Sequence, residues 1–359
     1  MYNLICIFKR RIFVAVILVI IAACFIFSFG FTGKAIADTA ELDEYDGKIE
    51  HIFTHELIFD TAKAYSPNNS VRDCFDKDHL TAKEFKALLG ELYKNDYVLV
   101  SLDSAINGDV KVPRGKKPLV MSFDDMTYDT FNRGCIDKII LSDGNICDYT
   151  KNAEPQVSRE RENVTILESF IEQHPDFSCD GARATLCVNG YNGILGYRCT
   201  PDCKVSEEKQ AAETEECKKL VAALKGLGYT FASHTYYHKY FNSCTANMIE
   251  KDCAMWQKYI EPIVGETLVL CYPAGEHKAK NAKNDIFKKY GFDIFLCVGN
   301  FAGTDYERAA TDAKYLYRLP FDGTALRLYQ KSYAHLADTR AIYDETRFRP
   351  FSYKGGYYK

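Results

Sequence analysis

Residues 117–125, KPLVMSFDD, join an unbroken apolar strand to two consecutive aspartates. Further apolar strands follow at 184–190 (ATLCVNG), 229–233 (YTFAS) and 268–272 (LVLCY), with helical patterns between them. Alternating strands and helices predict parallel strands covered by helices, so the fold class is α/β. Over this length the pattern favours a barrel or a distorted barrel over an open sheet.

Polar and turn residues follow several of these strands. Asp124 with Asp125, Gly190, His234, and Tyr272 with its neighbouring proline all come at strand ends. In barrels and open sheets alike, sites lie at the carboxyl ends of parallel strands. The sequence therefore predicts one functional rim that these residues share.

Residues 231–238, FASHTYYH, place two histidines four positions apart. On a helical turn this spacing brings both rings to one side, which suits a shared ion, although the pair alone is more typical of a surface. Two imidazoles and one carboxylate form a ligand set that zinc accepts, with positions left open for water and substrate. If Asp125 is the carboxylate ligand, Asp124 lies beside the ion and can act as general base.

The strongest helix signal is at 80–95, where Thr81 and Glu84 fit a capping box before leucines at helical spacing. Turn signals and charges at 133–160 indicate a hairpin-like excursion. Helices are also expected near 163–173 and at 205–226.

The N-terminal end carries a membrane signal, with KRR at 9–11 before an uncharged apolar run at 12–31. A run of this length spans the ~30 Å hydrocarbon core, and the basic flank predicts that the following residues lie outside the cytoplasm. The length favours an uncleaved anchor, whereas the small residues around Ala37 resemble a cleavage site.

Charge and cysteine content bound the function further. The 359 residues have a formal net charge of −4 and no basic cluster typical of nucleic-acid binding. Of the 14 cysteines, Cys6 and Cys24 belong to the membrane end. Outside the cytoplasm the others favour disulfides over zinc thiolates, with Cys199/Cys203 and Cys135/Cys147 as candidate pairs.

Four segments carry a resemblance to a known family: SFDD at 122–125, ATLCVNG at 184–190, SHTYYH at 233–238 and CYPAG at 271–275. In that order they resemble the TFDD, ATFFVxG, HSxxH and RxPYG motifs of the polysaccharide deacetylase (NodB-homology, carbohydrate esterase family 4) family. The resemblance covers roughly residues 51–330. It implies a distorted (β/α) barrel of the NodB-homology type.

The resemblance also implies a site. Asp125, His234 and His238 would bind a divalent metal, commonly Zn²⁺, with Co²⁺, Mn²⁺ or Ni²⁺ as alternatives, and Asp124 would be the general base. A backbone N–H at Ala274 would hold the oxyanion. The substrate would be an N-acetylated sugar polymer, and the products a free amine and acetate.

The sequence departs from the family pattern at the position of the motif arginine, which is Cys271, and Ala274 replaces the motif tyrosine. Arg318 is the candidate that orients the base instead. The family's late catalytic histidine has no clean copy, and His335 is the nearest candidate for the general acid.

Further candidates line the predicted rim. Tyr272, Tyr237 and His55 are expected at the substrate rim, and His277 is another histidine of this kind. Aromatic faces can stack on sugar rings, although core packing explains tyrosines equally well.

The predicted organisation is a basic stub with a transmembrane anchor or signal peptide at 1–37, a linker at 38–50, a deacetylase-like catalytic domain at 51–345 and a tail at 346–359. The predicted function is removal of N-acetyl groups from an extracellular or cell-wall polysaccharide, such as peptidoglycan or a GlcNAc polymer. The protein would be a single-pass cell-membrane protein through residues 12–31, or secreted if cleaved after Ala37. The alternatives are a catalytically impaired glycan-binding domain and an O-acetyl esterase.

Overall fold

The apolar runs of the sequence form strands in the structure. The computed structural model describes residues 41–128, 133–275, 283–298, 306–308 and 314–351. Within these ranges the strands are β1 (Leu42–Glu44), β2 (Glu50–Thr54), β3 (Tyr97–Leu99), β4 (Lys111–Pro113), β5 (Lys117–Phe123), β6 (Lys138–Ser142), β7 (Asn145–Tyr149), β8 (Val157–Ser158), β9 (Thr185–Val188), β10 (Thr230–Ser233), β11 (Val269–Cys271), β12 (Ile294–Val298), β13 (Tyr306–Arg308) and β14 (Lys314–Pro320).

Seven parallel strands of the described chain close into a barrel. Their order around the ring is β12, β11, β10, β9, β5, β2 and β14, and pairing between β12 and β14 closes it. Strand β3 adds to β5 in parallel, while β13 pairs with β14 antiparallel. The predicted α/β barrel is thereby confirmed over the open sheet.

Helices occupy most of the connections between these strands. They are α1 (Thr61–Ala64), α2 (Arg72–Asp78), α3 (Ala82–Lys94), α4 (Leu102–Asn107), α5 (Asn163–Gln173), α6 (Glu207–Leu227), α7 (Ala246–Tyr259), α8 (Glu261–Val264), α9 (Asn284–Lys289), α10 (Gly323–Leu328), α11 (Gln330–Tyr333) and α12 (Thr339–Ile342). The predicted capping box of α3 is confirmed, because Thr81 and Glu84 each accept the other's backbone N–H. It fixes the first turn of the helix that covers β5.

Alternation along β5 explains how the barrel carries its site. Leu119, Met121 and Phe123 belong to the apolar layer beneath the helices, where the Phe123 ring meets Phe85 of α3 edge-on. Because successive side chains of a strand point to opposite faces, Ser122 and Asp124 point into the barrel. The strand therefore delivers Asp124 to the mouth of the barrel.

The predicted excursion at 133–160 is a small antiparallel sheet of β6, β7 and β8. Tight pairing of β6 with β7 is possible because Asp143 and Gly144, with φ of 49° and 78°, form the turn between them. Within the described residues, no strand of this sheet pairs with a strand of the barrel.

The segments predicted to be a linker and a tail are partly folded. The expected linker at 38–50 contains β1, which pairs with β4. The expected tail at 346–359 begins with Arg347, whose fully buried guanidinium binds the carboxylates of Glu84 and Asp76. A buried charge of this kind must be paired, so the tail is anchored there rather than solvated.

The predicted membrane segment at 12–31 lies outside the described residues. Among the residues that are described, no helix is both long and apolar enough to cross a bilayer. The cysteines from Cys74 to Cys297 are free thiols, including both pairs proposed from their spacing. The expected Cys199/Cys203 and Cys135/Cys147 disulfides are therefore not formed in this structure.

Candidate active site

Asp125, His234 and His238 converge at the mouth of the barrel. One ligand atom from each lies within 4.8 Å of the others. The Nε2 atoms of His234 and His238 are 3.7 and 3.5 Å from Oδ1 of Asp125, and the two rings are 4.9 Å apart. His234 is almost fully buried, whereas the side chains of Asp125 and His238 are 31% and 26% exposed. The cluster therefore opens to solvent on one side.

The turn that carries the histidines is not helical, contrary to the expectation from their spacing. Thr235 and His238 have φ of 62° and 49°, and Asp125 has φ of 56°. Such values are uncommon for residues with a Cβ and persist where the surrounding structure imposes them. Here Asp252 of α7 is that constraint, since its two carboxylate oxygens accept the N–H groups of Tyr236 and Tyr237 at 2.8 Å.

Residues of the neighbouring strand fix the other side of the cluster. Asn189 follows β9 and donates from Nδ2 to Oδ1 of Asp125 at 3.0 Å. Gly190 comes next, and a Cβ added there would lie 2.2 Å from the ring of Tyr236. The glycine that ends the ATLCVNG segment is thus required by close packing against the histidine loop.

The electrostatics of this cluster favour a bound cation. Burial raises the pKa of Asp125, but the charges of His234, His238 and His55 outweigh burial and lower it below its ordinary value. Burial lowers the pKa of His234, but Cys271 and the two aspartates outweigh it and raise the pKa to about 10. Burial lowers the pKa of His238, so this imidazole favours its neutral form. Two imidazoles and a carboxylate in this arrangement fit a divalent metal.

Asp124 is held by a second set of contacts. Arg318 donates from Nη1 and Nη2 to its two carboxylate oxygens at 2.8 and 2.9 Å, and both residues are buried. Burial raises the pKa of Asp124, but Arg318 and His234 outweigh burial and hold the pKa far below its ordinary range. The carboxylate therefore stays ionised beside the cluster.

Asp124, His234 and Cys271 form another group of potential ligand atoms within 4.8 Å of one another. The guanidinium of Arg318 already contacts both Asp124 and the sulfur of Cys271, with Nη2 2.8 Å from Sγ. A metal ion there would lie against a buried positive charge. Asp125, His234 and His238, which have no such charge against them among the described residues, are the better-suited ligand set of the two.

His55 follows β2 at the same end of the barrel as Asp124, because the N–H of Asp124 donates to the carbonyl of Thr54, the residue before His55, at 2.9 Å. Its Nδ1 donates to the carbonyl of Asp78 at 2.8 Å. Because Nδ1 is engaged in this hydrogen bond, Nε2 is the ring atom that remains available to the site. The structure thus brings His55 to the site.

His335 lies at the other end of the barrel, contrary to the expectation that it is the acid. Its Nε2 is 3.1 Å from Oε1 of Glu50, the first residue of β2. Glu50 pairs with Leu119 of β5, five residues before Asp124, which corresponds to roughly 16 Å along the strand. His335 cannot reach the cluster from there.

Tyr272 also differs from its predicted place at the substrate rim. Its ring is buried against Phe295, with ring centres 5.5 Å apart, and its hydroxyl donates to Asn284 at 2.7 Å. The strand alternation explains the difference, because Cys271 points into the barrel and its neighbour must point outward.

Other predicted rim residues lie close to the opening. Tyr237 is half-buried, with the ammonium groups of Lys239 and Lys251 at 5.8 and 6.0 Å from its ring centre. Ala274 is exposed, with φ of 53°, in the turn after β11. His277 lies outside the described residues.

Asn189, Asp252 and Ser122 contact the site residues but were not identified from the sequence. Asn189 could have been found, because it follows an apolar strand whose end was already assigned to the rim. Asp252 carries no such signal, because it lies within a helix. Ser122 begins the SFDD segment, but its place within a strand gave it no predicted role.

Comparison with known proteins identifies part of the chain. Residues 180–295 match the family model described as polysaccharide deacetylase, a segment that contains His234, His238 and Cys271. No curated protein sequence matches the chain.

Solved structures show similarity at low identity. The Streptococcus pyogenes deacetylase PplD in complex with acetate is 12% identical, covers 79% of this chain and 94% of its own, and has a TM-score of 0.45. A polysaccharide deacetylase from Bacillus cereus is 16% identical, covers 83% and 69%, and has a TM-score of 0.47. At these TM-scores the likeness supports no conclusion about individual residues.

The family model spans the histidine loop and β11, while the described fold adds the aspartates of β5 to the same rim. The family model contains three of the four ordered motifs, so the predicted resemblance to the polysaccharide deacetylase family is confirmed for residues 180–295, and with it the predicted class of enzyme, a deacetylase hydrolase.

Proposed function

We propose that this protein is a metal-dependent hydrolase that removes N-acetyl groups from a polysaccharide. The observation that supports it most directly is the convergence of Asp125, His234 and His238 beside Asp124, which is ion-paired but does not belong to that cluster. A set of metal ligands with an adjacent free carboxylate is typical of hydrolytic sites, whereas structural zinc sites are closed by four protein ligands.

Asp125, His234 and His238 would hold the metal, with His234 oriented by the hydrogen bond between its Nδ1 and the carbonyl of Cys271 at 3.1 Å. When bound, a divalent ion supplies a Lewis acid for the acetamide carbonyl and lowers the pKa of the attacking water. Zinc suits this donor set best, and Co²⁺, Mn²⁺ and Ni²⁺ also bind imidazole and carboxylate. The partly exposed faces of Asp125 and His238 leave room for substrate.

Asp124 would accept the proton of the attacking water. Arg318 donates to both oxygens of Asp124 and keeps the carboxylate ionised. Asp124 can therefore accept a proton at neutral pH. Because the pKa of Asp124 is so low, its carboxylate is a weak base. It can accept a proton only from a water molecule whose own pKa has been lowered. The backbone N–H at Ala274 remains our proposed donor to the oxyanion.

His55 would donate a proton from Nε2 to the departing amine, acting as the imidazolium because its Nδ1–H is already donated to the carbonyl of Asp78. An amide cannot be cleaved rapidly unless its nitrogen is protonated as it leaves, so the site needs a donor. His55 replaces His335 in this role because it follows Thr54, whose carbonyl accepts the N–H of Asp124 at 2.9 Å, and because its Nδ1 is held by the carbonyl of Asp78. His55 was expected at the substrate rim, and this proposal adds a role in proton transfer.

We also propose that the substrate lies outside the cytoplasm and is peptidoglycan or another GlcNAc-containing polymer. The support is in the sequence: the basic KRR at 9–11 and the apolar run at 12–31 favour a single-pass anchor, or secretion after cleavage at Ala37. A reporter fused after Phe31 should be exported, and a cytoplasmic reporter signal would contradict this location.

The test of the proposed function is acetate release by the purified full-length protein. We expect release from GlcNAc oligomers or peptidoglycan, its loss after chelation, and its recovery on adding zinc. Asp124→Asn should abolish release while metal content stays unchanged. Activity on acetylated xylan but on none of the N-acetylated polymers would assign the protein to O-acetyl esters instead.

A further inference from the structure

The interior of the barrel is polar directly beneath Asp124. Arg318 belongs to β14, whose neighbours in the ring are β12 and β2, yet it contacts residues of β5 and β11. Contacts between strands that are not adjacent can only form across the inside of the barrel. The guanidinium therefore lies within the barrel, stacked over the ring of Phe53 with its Cζ 4.2 Å from the ring centre.

A chain of polar contacts supports this guanidinium from below. Nη1 of Arg318, which donates to Asp124, also lies 2.8 Å from Oγ of Ser122 and donates to it. Oγ of Ser122 is in turn 3.1 Å from Nε2 of His51, and all three residues are fully buried. Burial and the charge of Arg318 hold the pKa of His51 well below its ordinary value, so the imidazole is neutral. Ser122 can thus accept from Arg318 on one side and donate to His51 on the other.

Cys271 completes the surroundings of the guanidinium. Its sulfur is 2.8 Å from Nη2 and 3.5 and 3.6 Å from the carboxylate oxygens of Asp124. The RxPYG motif that CYPAG resembles has an arginine at this position. A side chain as small as cysteine leaves space that Arg318 of β14 fills.

We propose that Ser122, His51 and Cys271 are positioning residues for the general base, acting through Arg318. They fix the guanidinium so that it grips both oxygens of Asp124, which sets the direction in which the carboxylate faces water. Without Ser122, Nη1 keeps only one of its partners and the guanidinium can tilt away from bidentate geometry. This inference rests on the proposed function of Asp124.

A double-mutant cycle in the full-length protein tests the proposal, with Ser122→Ala, Arg318→Ala and both together. We expect Ser122→Ala to lower kcat by about tenfold, as for loss of a hydrogen bond to a charged group, with KM and zinc content unchanged. In the Arg318→Ala background the same change should alter kcat by less than about twofold, because Ser122 acts only through Arg318. Equal effects of Ser122→Ala in both backgrounds, or no effect in either, would overturn the proposal.

Ser122→Thr keeps the hydroxyl and should restore most of the activity, whereas Ser122→Val has nearly the same shape without it. If threonine and valine give the same loss, the role of Ser122 is steric and the proposal is wrong. The free energy of unfolding, measured over the same cycle, needs no substrate. If the wild type releases no acetate, the proposed function fails, yet this second cycle still reports whether Ser122 and Arg318 are coupled; absence of coupling there overturns the inference by itself.

Discussion

Arg318 and Asp124 lie 194 positions apart in the chain and form a doubly hydrogen-bonded ion pair inside the barrel, with N–O distances of 2.8 and 2.9 Å. Both side chains are removed from solvent, at 0% and 4% exposure. Removing one partner of such a buried ion pair strongly destabilises the protein, because the other charge is then buried without an opposite charge.

Arg318→Ala should therefore impair both folding and activity. We expect the free energy of unfolding to fall by about 3–5 kcal/mol, and acetate release to fall by about a hundredfold or more as the base loses its orientation. Arg318→Lys keeps the charge but not the planar pair of donors, so it should recover stability more than activity. Chemical denaturation and acetate assays on the same samples separate the two effects.

A matched control is the exposed pair of Arg340 and Glu345, whose side chains are 58% and 64% exposed. Arg340→Ala should cost less than about 1 kcal/mol and leave acetate release unchanged. If Arg318→Ala were no more damaging than this control, the buried pair would have no part in orienting Asp124.

His55→Ala should reduce hydrolysis of the acetamide by about a hundredfold, as expected on losing a general acid. p-Nitrophenyl acetate has a leaving group that needs no protonation, so its hydrolysis should fall by much less. The comparison of the two substrates is the measurement. His335→Ala, at the opposite end of the barrel, is the control and should affect neither; equal losses on both substrates in His55→Ala would rule out the role of a proton donor.

Asp252 should make stability depend on pH. Burial raises its pKa to about 6, although the N–H groups of Tyr236 and Tyr237 oppose this. In the unfolded chain the pKa is near its ordinary value, so folding takes up a proton between these two values. The contribution of this group to stability is thus larger at pH 5 than at pH 8 and declines as the pH rises through about 6.

On lowering the pH from 8 to 5, the free energy of unfolding of the wild type should therefore gain about 1 kcal/mol relative to that of Asp252→Asn. The variant should also bind zinc more weakly, because asparagine cannot accept both N–H groups of the histidine loop as strongly. Urea unfolding at the two pH values and zinc titration check this. Parallel pH dependence in both proteins would show that Asp252 is not the linked group.

Cys271→Arg should inactivate the protein by placing a second guanidinium against that of Arg318. When Cys271→Arg is combined with Arg318→Ala, the introduced arginine can occupy the space left by Arg318 and bind the carboxylate of Asp124. We expect the double variant to release acetate at least about tenfold faster than Arg318→Ala alone, because a charge-assisted hydrogen bond is restored. A double variant no faster than Arg318→Ala would show that the guanidinium cannot be supplied from β11.

The sequence was sufficient to predict the barrel, the strand ends and the cluster at Asp125, His234 and His238. Apolar strands and helices alternate regularly, and parallel strands bring their carboxyl ends together without further information. The prediction for His335 was wrong because the position of a histidine late in the sequence does not indicate which end of the barrel it occupies. Its contact with Glu50 decides that, and it depends on the closed ring.

The interior contacts could not be predicted for a related reason. Arg318 reaches Ser122 and Cys271 across the barrel, a relationship that has no local sequence signal. Tyr272 shows the same limit on a smaller scale, since moving the strand alternation by one residue changes a rim tyrosine into a core tyrosine. Prediction from the sequence thus located the site but not the contacts that hold it.

The claim on which the proposed function depends is that Asp125, His234 and His238 hold one ion beside Asp124. X-ray absorption at the zinc edge of the purified full-length protein tests it most directly, because oxygen or nitrogen ligands at ~2.0 Å are distinguished from sulfur at ~2.3 Å. We predict one zinc per chain, bound by two imidazoles and by oxygen ligands, with no sulfur. A sulfur ligand would place the ion at Cys271 with Asp124 and His234, and would contradict the account.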